Sequence, residues 1–322
     1  MNSTVSLQTR VEDYLAERRR LGYQLRTIAG TLRSFARYVD ELALTGPLTI
    51  EVMSAWARQA KAHNDSPATR ARRLLRLGPF TTWLQQFEPA TEVPDSTVFG
   101  GIGGRPVPHI FTAQELIDLL AAARRLEPDL RGVTYEALFG LLAGSGLRIS
   151  EALNLTQADV DLHAGLLTVR QTKFGQSRAV PLHPTVRDGL RDYCQRRDLH
   201  MTPSEQTPLF VTTRGRLLGC AMSLRQVDRV FRQLREHLGW VNRGSHAAIR
   251  VHDLRHTFIV RRLVLWQAQG IDIDQAMLAL STYVGHIRVS NTYWYLSGVP
   301  ELLGLAGERF EPLPLGAEVD HG

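Results

Sequence analysis

Between Glu88 and Pro108 the chain loses every regular period, because the run ATEVPDSTVFGGIGGRPVP puts proline and glycine where neither a helix nor a strand persists. A chain of 322 residues is also longer than one typical domain. The break therefore predicts two domains: a helical one over 1–95, an exposed linker over 96–108, and a second domain over 109–322 with a C-terminal tail.

Before the break the period is helical. Leu25, Ile28, Leu32, Phe35, Val39 and Leu42 step by three and four and make one apolar stripe, with Arg26, Arg33 and Arg37 on another face. Thr49 opens a short helix through Trp56. Ser66 and Pro67 supply an N-cap and a first-turn proline for a helix carrying Arg70, Arg72, Arg73 and Arg76 ahead of Phe80 and Trp83. Four basic residues in two turns suit a DNA phosphate backbone, and equally suit a solvated helix face.

After the break, Thr112 and Glu115 have capping-box spacing ahead of Leu116, Leu119 and Leu120. Further helices fit Tyr135 to Leu142 and Ser150 to Leu155. The period then changes: 165–170 and 177–182 read as two strands joined by a turn around Phe174 and Gly175, which sets Lys173 on a hairpin. From there the chain reads as largely helical to about Arg309. The fold class is thus mainly α with a small β-hairpin.

The composition narrows the class of function. With 43% hydrophobic and 22% charged residues the chain is neither disordered nor membrane-spanning, and its polar start lacks a signal-peptide core, so a cytoplasmic protein is expected. Cys194 and Cys220 lack metal-ligand spacing. A net charge of +6 favours a polyanionic partner. Nearly all of the positive charge is arginine, lysine occurring only at Lys61 and Lys173. A single lysine in the second domain raises the question of what an ammonium does there that a guanidinium does not.

Breaking and rejoining a DNA strand without a metal has definite requirements. Charge builds on the non-bridging phosphate oxygens in the transition state, and planar cationic forks stabilise it. A side-chain nucleophile conserves the ester bond for rejoining, and the departing 5′-oxygen needs a proton. Residues of these types occur in order in the second domain. Gly146-Leu147-Arg148 places Arg148 past a glycine turn at a helix start, with Glu151 one turn on to orient it. His252 and Arg255 share one helical face in His252-Asp253-Leu254-Arg255-His256. Val284-Gly285-His286 precedes Tyr295 by nine residues counted from His286.

At these residues the sequence resembles the tyrosine recombinase family, which includes phage integrases and chromosome-dimer resolvases. The resemblance runs from Arg148 to Tyr295, with Val284 where the family usually has leucine. It implies a SAM-like core-binding domain followed by a mixed α/β catalytic domain, the two forming a clamp around double-stranded DNA. It also implies that Arg148 and Arg255 hold the scissile phosphate and that Lys173 protonates the leaving oxygen. His252 and His286 hydrogen-bond the phosphate, with His252 also a candidate acceptor for the tyrosine proton. Tyr295 forms a 3′-phosphotyrosyl link, and His256 serves as a buried helix brace. No cofactor or metal is implied, and the family usually works as a homo-tetramer on paired sites, in some cases with other recombinases. The ending around Tyr295 looks more like recombinases of transposable elements, and the apolar stretch Pro300 to Leu305 suits either a neighbouring protomer or its own domain.

Two other classes fit parts of the pattern. His252 and His256 with Asp253 have the spacing of a metal site, although no HExxH glutamate accompanies them. A DNA-binding accessory protein with a decayed site is the second, and the complete set of residues argues against decay.

Overall fold

A computed structural model describes residues 5–23, 25–59, 66–100, 104–170 and 177–298. The chain divides into two compact units, residues 1–104 and 105–322.

The first unit is built from α1 (Leu7–Arg20), α2 (Arg26–Glu41), α3 (Ile50–Arg58), α4 (Pro67–Leu75) and α5 (Gly78–Leu84). Each helix start has a local cause. The Thr49 side chain accepts from Val52 N and opens α3, while Ser66 accepts from Thr69 N and opens α4 with Pro67 in its first turn. The stripe expected on α2 does bury Leu32, Phe35 and Val39, joined by Leu15, Met53, Trp56, Phe80 and Leu84. Leu42 departs from it. It lies just past the helix end and is 49% exposed. Val98 and Phe99, expected in the linker, pack on this helical core.

The second unit begins with α6 (Ala113–Arg124), whose capping box pairs Thr112 with Glu115, and continues through α7 (Asp129–Ser145) and α8 (Ile149–Leu153). A three-stranded antiparallel sheet follows in the order β1 (Val160–Asp161), β2 (Leu166–Val169), β3 (Arg178–Pro181). The two expected strands are β2 and β3, with Leu167 facing Val180. β1 has two residues, too few to show a period. Lys173 and the turn at Phe174 and Gly175 lie outside the described residues, as do Pro300 to Leu305 and the tail.

Four longer helices and one short one complete the unit: α9 (Pro184–Asp198), α10 (Leu224–Leu238), α11 (His252–Ala268), α12 (Ile273–Val284) and α13 (Ser290–Gly298). The expected run of helix is interrupted over 199–223 and 239–251, where turns, bridges and a short 3₁₀ segment replace it. One core gathers α6, α7, the sheet, α9 and α10 around Phe139, Leu167, Tyr193 and Phe231. A second joins α11, α12 and α13 around Ile259, Leu263, Met277 and Tyr295. The residues of interest lie where these two cores meet. Among the described residues no helix is long and apolar enough to cross a membrane.

Candidate active site

α7 stops at Gly146, whose φ of +63° is the left-handed conformation that ends helices. A Cβ here would come within 2.4 Å of the Phe258 ring, so only glycine lets α7 turn this close to α11. The turn makes Arg148 the residue that opens α8. Its backbone N–H donates to Glu151 Oε2 at 3.0 Å and its Nη1 to Oε1 at 2.8 Å. Glu151 braces Arg148 as the spacing implied, and it has a second guest: Arg178 on β3 donates to both carboxylate oxygens at 3.1 and 2.9 Å. Burial on its own raises the Glu151 carboxyl. The Arg178 and Arg148 hydrogen bonds and the two positive charges outweigh that and hold it at about 2.

The guanidiniums converge on the C-terminal end of α12. Three successive carbonyls there accept from three arginines: Tyr283 O from Arg178 Nε at 2.9 Å, Val284 O from Arg255 Nη2 at 2.7 Å and more distantly from Arg178 Nη2 at 3.4 Å, and Gly285 O from Arg148 Nη2 at 2.8 Å. These are the carbonyls a helix leaves unpaired, at the negative end of its dipole, so they suit cations. Gly285 has φ of +70°, and a Cβ on it would lie 2.7 Å from Arg178 Nη1. The glycine of Val284-Gly285-His286 thus makes room for the guanidinium. Arg255 is 2% exposed and also donates to Gly146 O at 2.6 Å. Burial, and then the neighbouring Arg148 charge, pull Arg255 down to about 9, so it remains protonated at neutral pH.

Histidines line the remaining side. His252 opens α11, and His256 one turn on sets its ring edge-on to that of His252 at 4.8 Å. His286 follows Gly285 and shares a hydrogen bond with Thr292 Oγ1 through Nδ1 at 2.7 Å. Burial first, then nearby arginine charge, lowers His252 to about 4 and His286 to about 3; burial, then His252, lowers His256 to about 2. All three are therefore neutral imidazoles near pH 7.

Tyr295 lies on α13 with 0% exposure, its hydroxyl 2.6 Å from His256 Nδ1 and its ring stacked 6.5 Å from that of His286. Burial raises the phenol above its ordinary value of 10, and the charges of Arg105 and Arg255 oppose the rise. Tyr293 points elsewhere. It is exposed, and its hydroxyl donates to Asp274 Oδ1 at 3.1 Å.

Arg148, His252, Arg255, His286, Tyr295 and Glu151 are thus brought together, while Lys173 lies outside the described residues. Sequence reasoning did not give roles to Arg178, to His256 at the phenol, or to Arg105. It also passed over α10, whose Arg225, Arg229 and Arg232 line an open groove of about 930 Å³ together with Arg250 and His252. The 3–4 spacing of these arginines was legible, but nothing in the sequence placed them beside His252. In the helical unit, Arg72 and Arg76 are exposed, Arg70 is partly buried, and Arg73 lies 4.4 Å over the Trp56 ring.

The metal-site alternative fails on geometry. Asp253 is turned to Arg250, which reaches its carboxylate through Nη2 at 2.7 Å and through its backbone N–H at 2.8 Å. Among the described residues no three His, Cys, Asp or Glu side chains gather as a metal would need.

Arginine forks, neutral imidazoles and one phenol thus meet around a helix end. The phage integrase family profile matches residues 109–299, and the chain belongs to that family of DNA-cleaving and rejoining enzymes, the site-specific tyrosine recombinases. An integrase/recombinase of Sinorhizobium fredii, y4rB, is 36% identical over 306 residues, 94% of this chain and 96% of the relative. The tyrosine recombinase XerC of Rhodospirillum centenum is 30% identical over 285 residues, 85% of this chain and 76% of its own. Among solved structures, the Tn1549 transposon integrase in complex with transposon right end DNA shares the fold with a TM-score of 0.66 at 16% identity. The match covers 95% of this chain and 99% of that one.

Proposed function

We propose that Tyr295 is the nucleophile of strand exchange and that Arg148 and Arg255 hold the phosphate it attacks. The observation that carries this reading is the gathering of both arginines on the carbonyls of Val284 and Gly285, beside the hydroxyl bound to His256. The Tyr295 hydroxyl gives its proton to His252 as its oxygen bonds to phosphorus, the bond from phosphorus to O5′ breaks, and the departing oxygen takes a proton from Lys173. The product is a 3′-phosphotyrosyl ester and a free 5′-hydroxyl, and a 5′-hydroxyl from a partner strand reverses the step. His252 and His286 donate hydrogen bonds to the phosphate, and Glu151 keeps Arg148 in place. No metal or cofactor takes part.

Magnitudes support this division of labour. A phenol with pKa about 10 is ionised about once in a thousand molecules at pH 7, and burial makes ionisation rarer still. Cations beside the developing charge are therefore needed, and loss of one transition-state donor costs about 2.7–4 kcal/mol. An entering phosphate also competes with the α12 carbonyls for the arginines and, being anionic, favours protonated histidine. Because Tyr295 is fully covered, the groups that cover it have to move aside before its oxygen can reach phosphorus.

The wider reading is a recombinase that integrates, excises or transposes a mobile element, acting in the cytoplasm on double-stranded DNA. It works as a homo-tetramer on paired sites, in some cases with other recombinases. The groove beside α10 and, in the helical unit, Arg70, Arg72 and Arg76 supply phosphate contacts, while Arg73 is held over Trp56. A plasmid carrying two native sites tests the reading. The wild type should yield deletion or inversion products and Tyr295→Phe none; product from the variant would remove Tyr295 from the chemistry.

A further inference from the structure

Arg105 opens the second unit, well before the segments that carry Arg148, His252, Arg255 and Tyr295. The segment it heads is tied down along its length. Val107 N donates to Ser245 Oγ at 2.7 Å, Ser245 N donates to Val107 O at 2.9 Å, and Phe111 N donates to Thr257 Oγ1 at 2.9 Å. Backbone approaches backbone so closely that a Cβ on Gly244 would lie 2.6 Å from His109 N. At the head of this strap, the Arg105 guanidinium carbon sits 4.1 Å from the centroid of the Trp294 ring and 5.6 Å from that of Tyr295.

We propose that Arg105 is a positioning residue for the nucleophile: its guanidinium, stacked on Trp294, fixes the Trp294–Tyr295 pair and keeps a positive charge beside the phenol as it ionises. This rests on Tyr295 being the attacking group. The groups facing Tyr295 are His252, Arg255 and His256 from α11, Arg148 from the start of α8, His286 after α12, and Arg105 from the strap. Arg148 and Arg255 are committed to α12 carbonyls here and to the phosphate in the reaction, whose negative charge offsets theirs. Arg105 is held by aromatic rings instead, an arrangement that keeps its charge available to the phenol. Among the influences that favour ionisation of Tyr295 it comes first, ahead of Arg255 and Arg148.

The test places 3-fluorotyrosine, a more acidic phenol, at position 295 of the full chain and follows its fluorine resonance against pH without DNA. Arg105→Ala and Arg105→Gln should each raise the ionisation midpoint by about one pH unit, about tenfold less phenolate at a given pH, and Arg105→Lys should restore most of it. On a nicked duplex of the native site, Arg105→Ala should cleave about tenfold more slowly at neutral pH with DNA affinity unchanged, the deficit shrinking as pH rises. A midpoint unmoved in the alanine and glutamine variants, or a shift that lysine leaves in place, overturns the proposal. Absence of cleavage by the wild type instead removes the recombinase reading of Tyr295, while the fluorine titration still reports on the contact.

Discussion

His256 Nδ1 lies 2.6 Å from the Tyr295 hydroxyl, so the imidazole that touches this phenol is the second histidine of His252-Asp253-Leu254-Arg255-His256. The sequence suggested the first. With His256 lowered to about 2 and the phenol raised, the proton stays on Tyr295 and the bond holds the hydroxyl in place. Both partners are buried, and loss of either strands the other. A double-mutant cycle of His256→Leu and Tyr295→Phe, read by chemical denaturation, should give a coupling of about 0.5–1.5 kcal/mol. Additive losses would mean that the contact does not form in solution.

Gly285 should tolerate no side chain. Gly239 also has positive φ, at +63°, but a Cβ there meets nothing within 4 Å, whereas at Gly285 it meets Arg178. Gly239→Ala should cost about 1 kcal/mol from backbone strain alone. Gly285→Ala should cost clearly more and should slow cleavage by displacing the arginine that shares Glu151 with Arg148. Equal losses of stability would show that the close approach carries no energy.

How much of this was legible turns on particular residues. Arg148 and Glu151 were readable because a glycine turn, a helix start and a three-residue step sit next to one another in sequence. The convergence of Arg148, Arg178 and Arg255 on 283–285 was not, since Arg148 and Arg178 lie more than a hundred residues from that segment and all three meet backbone carbonyls, which carry no residue-type signal. Arg178 looked like one of several basic residues near a hairpin. Arg105 was hidden because proline and glycine around it read as linker, yet the stretch from Val107 to Phe111 is bonded to the catalytic unit. The helical unit was read well from periodicity and caps, and the irregular 199–223 was missed because its polar and apolar residues do not contradict a helix.

Acid should destabilise the protein early. His252, His256 and His286 all sit below their ordinary value of 6.5, so the unfolded chain binds protons that the native state refuses. Stability is then full above about 6.5 and falls as pH drops toward the native values, by about 1.4 kcal/mol per pH unit for each histidine. Below 4.5 the loss of the Glu151 ion pairs adds to it, complete only once pH has passed about 2. Thermal melts across this range should show a steep slope that His286→Gln makes shallower. A flat profile between 6.5 and about 4 would contradict the buried neutral state of these rings.

The arginines of α4 and of its C-cap should divide into two kinds. Arg72 and Arg76 are exposed, whereas Arg73 lies over Trp56 and donates to its carbonyl at 3.4 Å. Arg72→Ala with Arg76→Ala should weaken binding to any DNA sequence and lower the salt slope by about 0.9 for each phosphate that is no longer neutralised. Arg73→Ala should instead lower the melting temperature. An unchanged slope in the double variant would place DNA elsewhere.

The most direct measurement is on the bond itself. Protein incubated in EDTA with a nicked duplex of its native site is digested, and the peptide that retains nucleotide is sequenced by mass spectrometry. A single phosphotyrosyl peptide is expected, with the modification on Tyr295, lost in Tyr295→Phe and retained in Tyr293→Phe. A nucleotide on Tyr293 or any other residue, or cleavage that proceeds with no adduct and stops in EDTA, would contradict it.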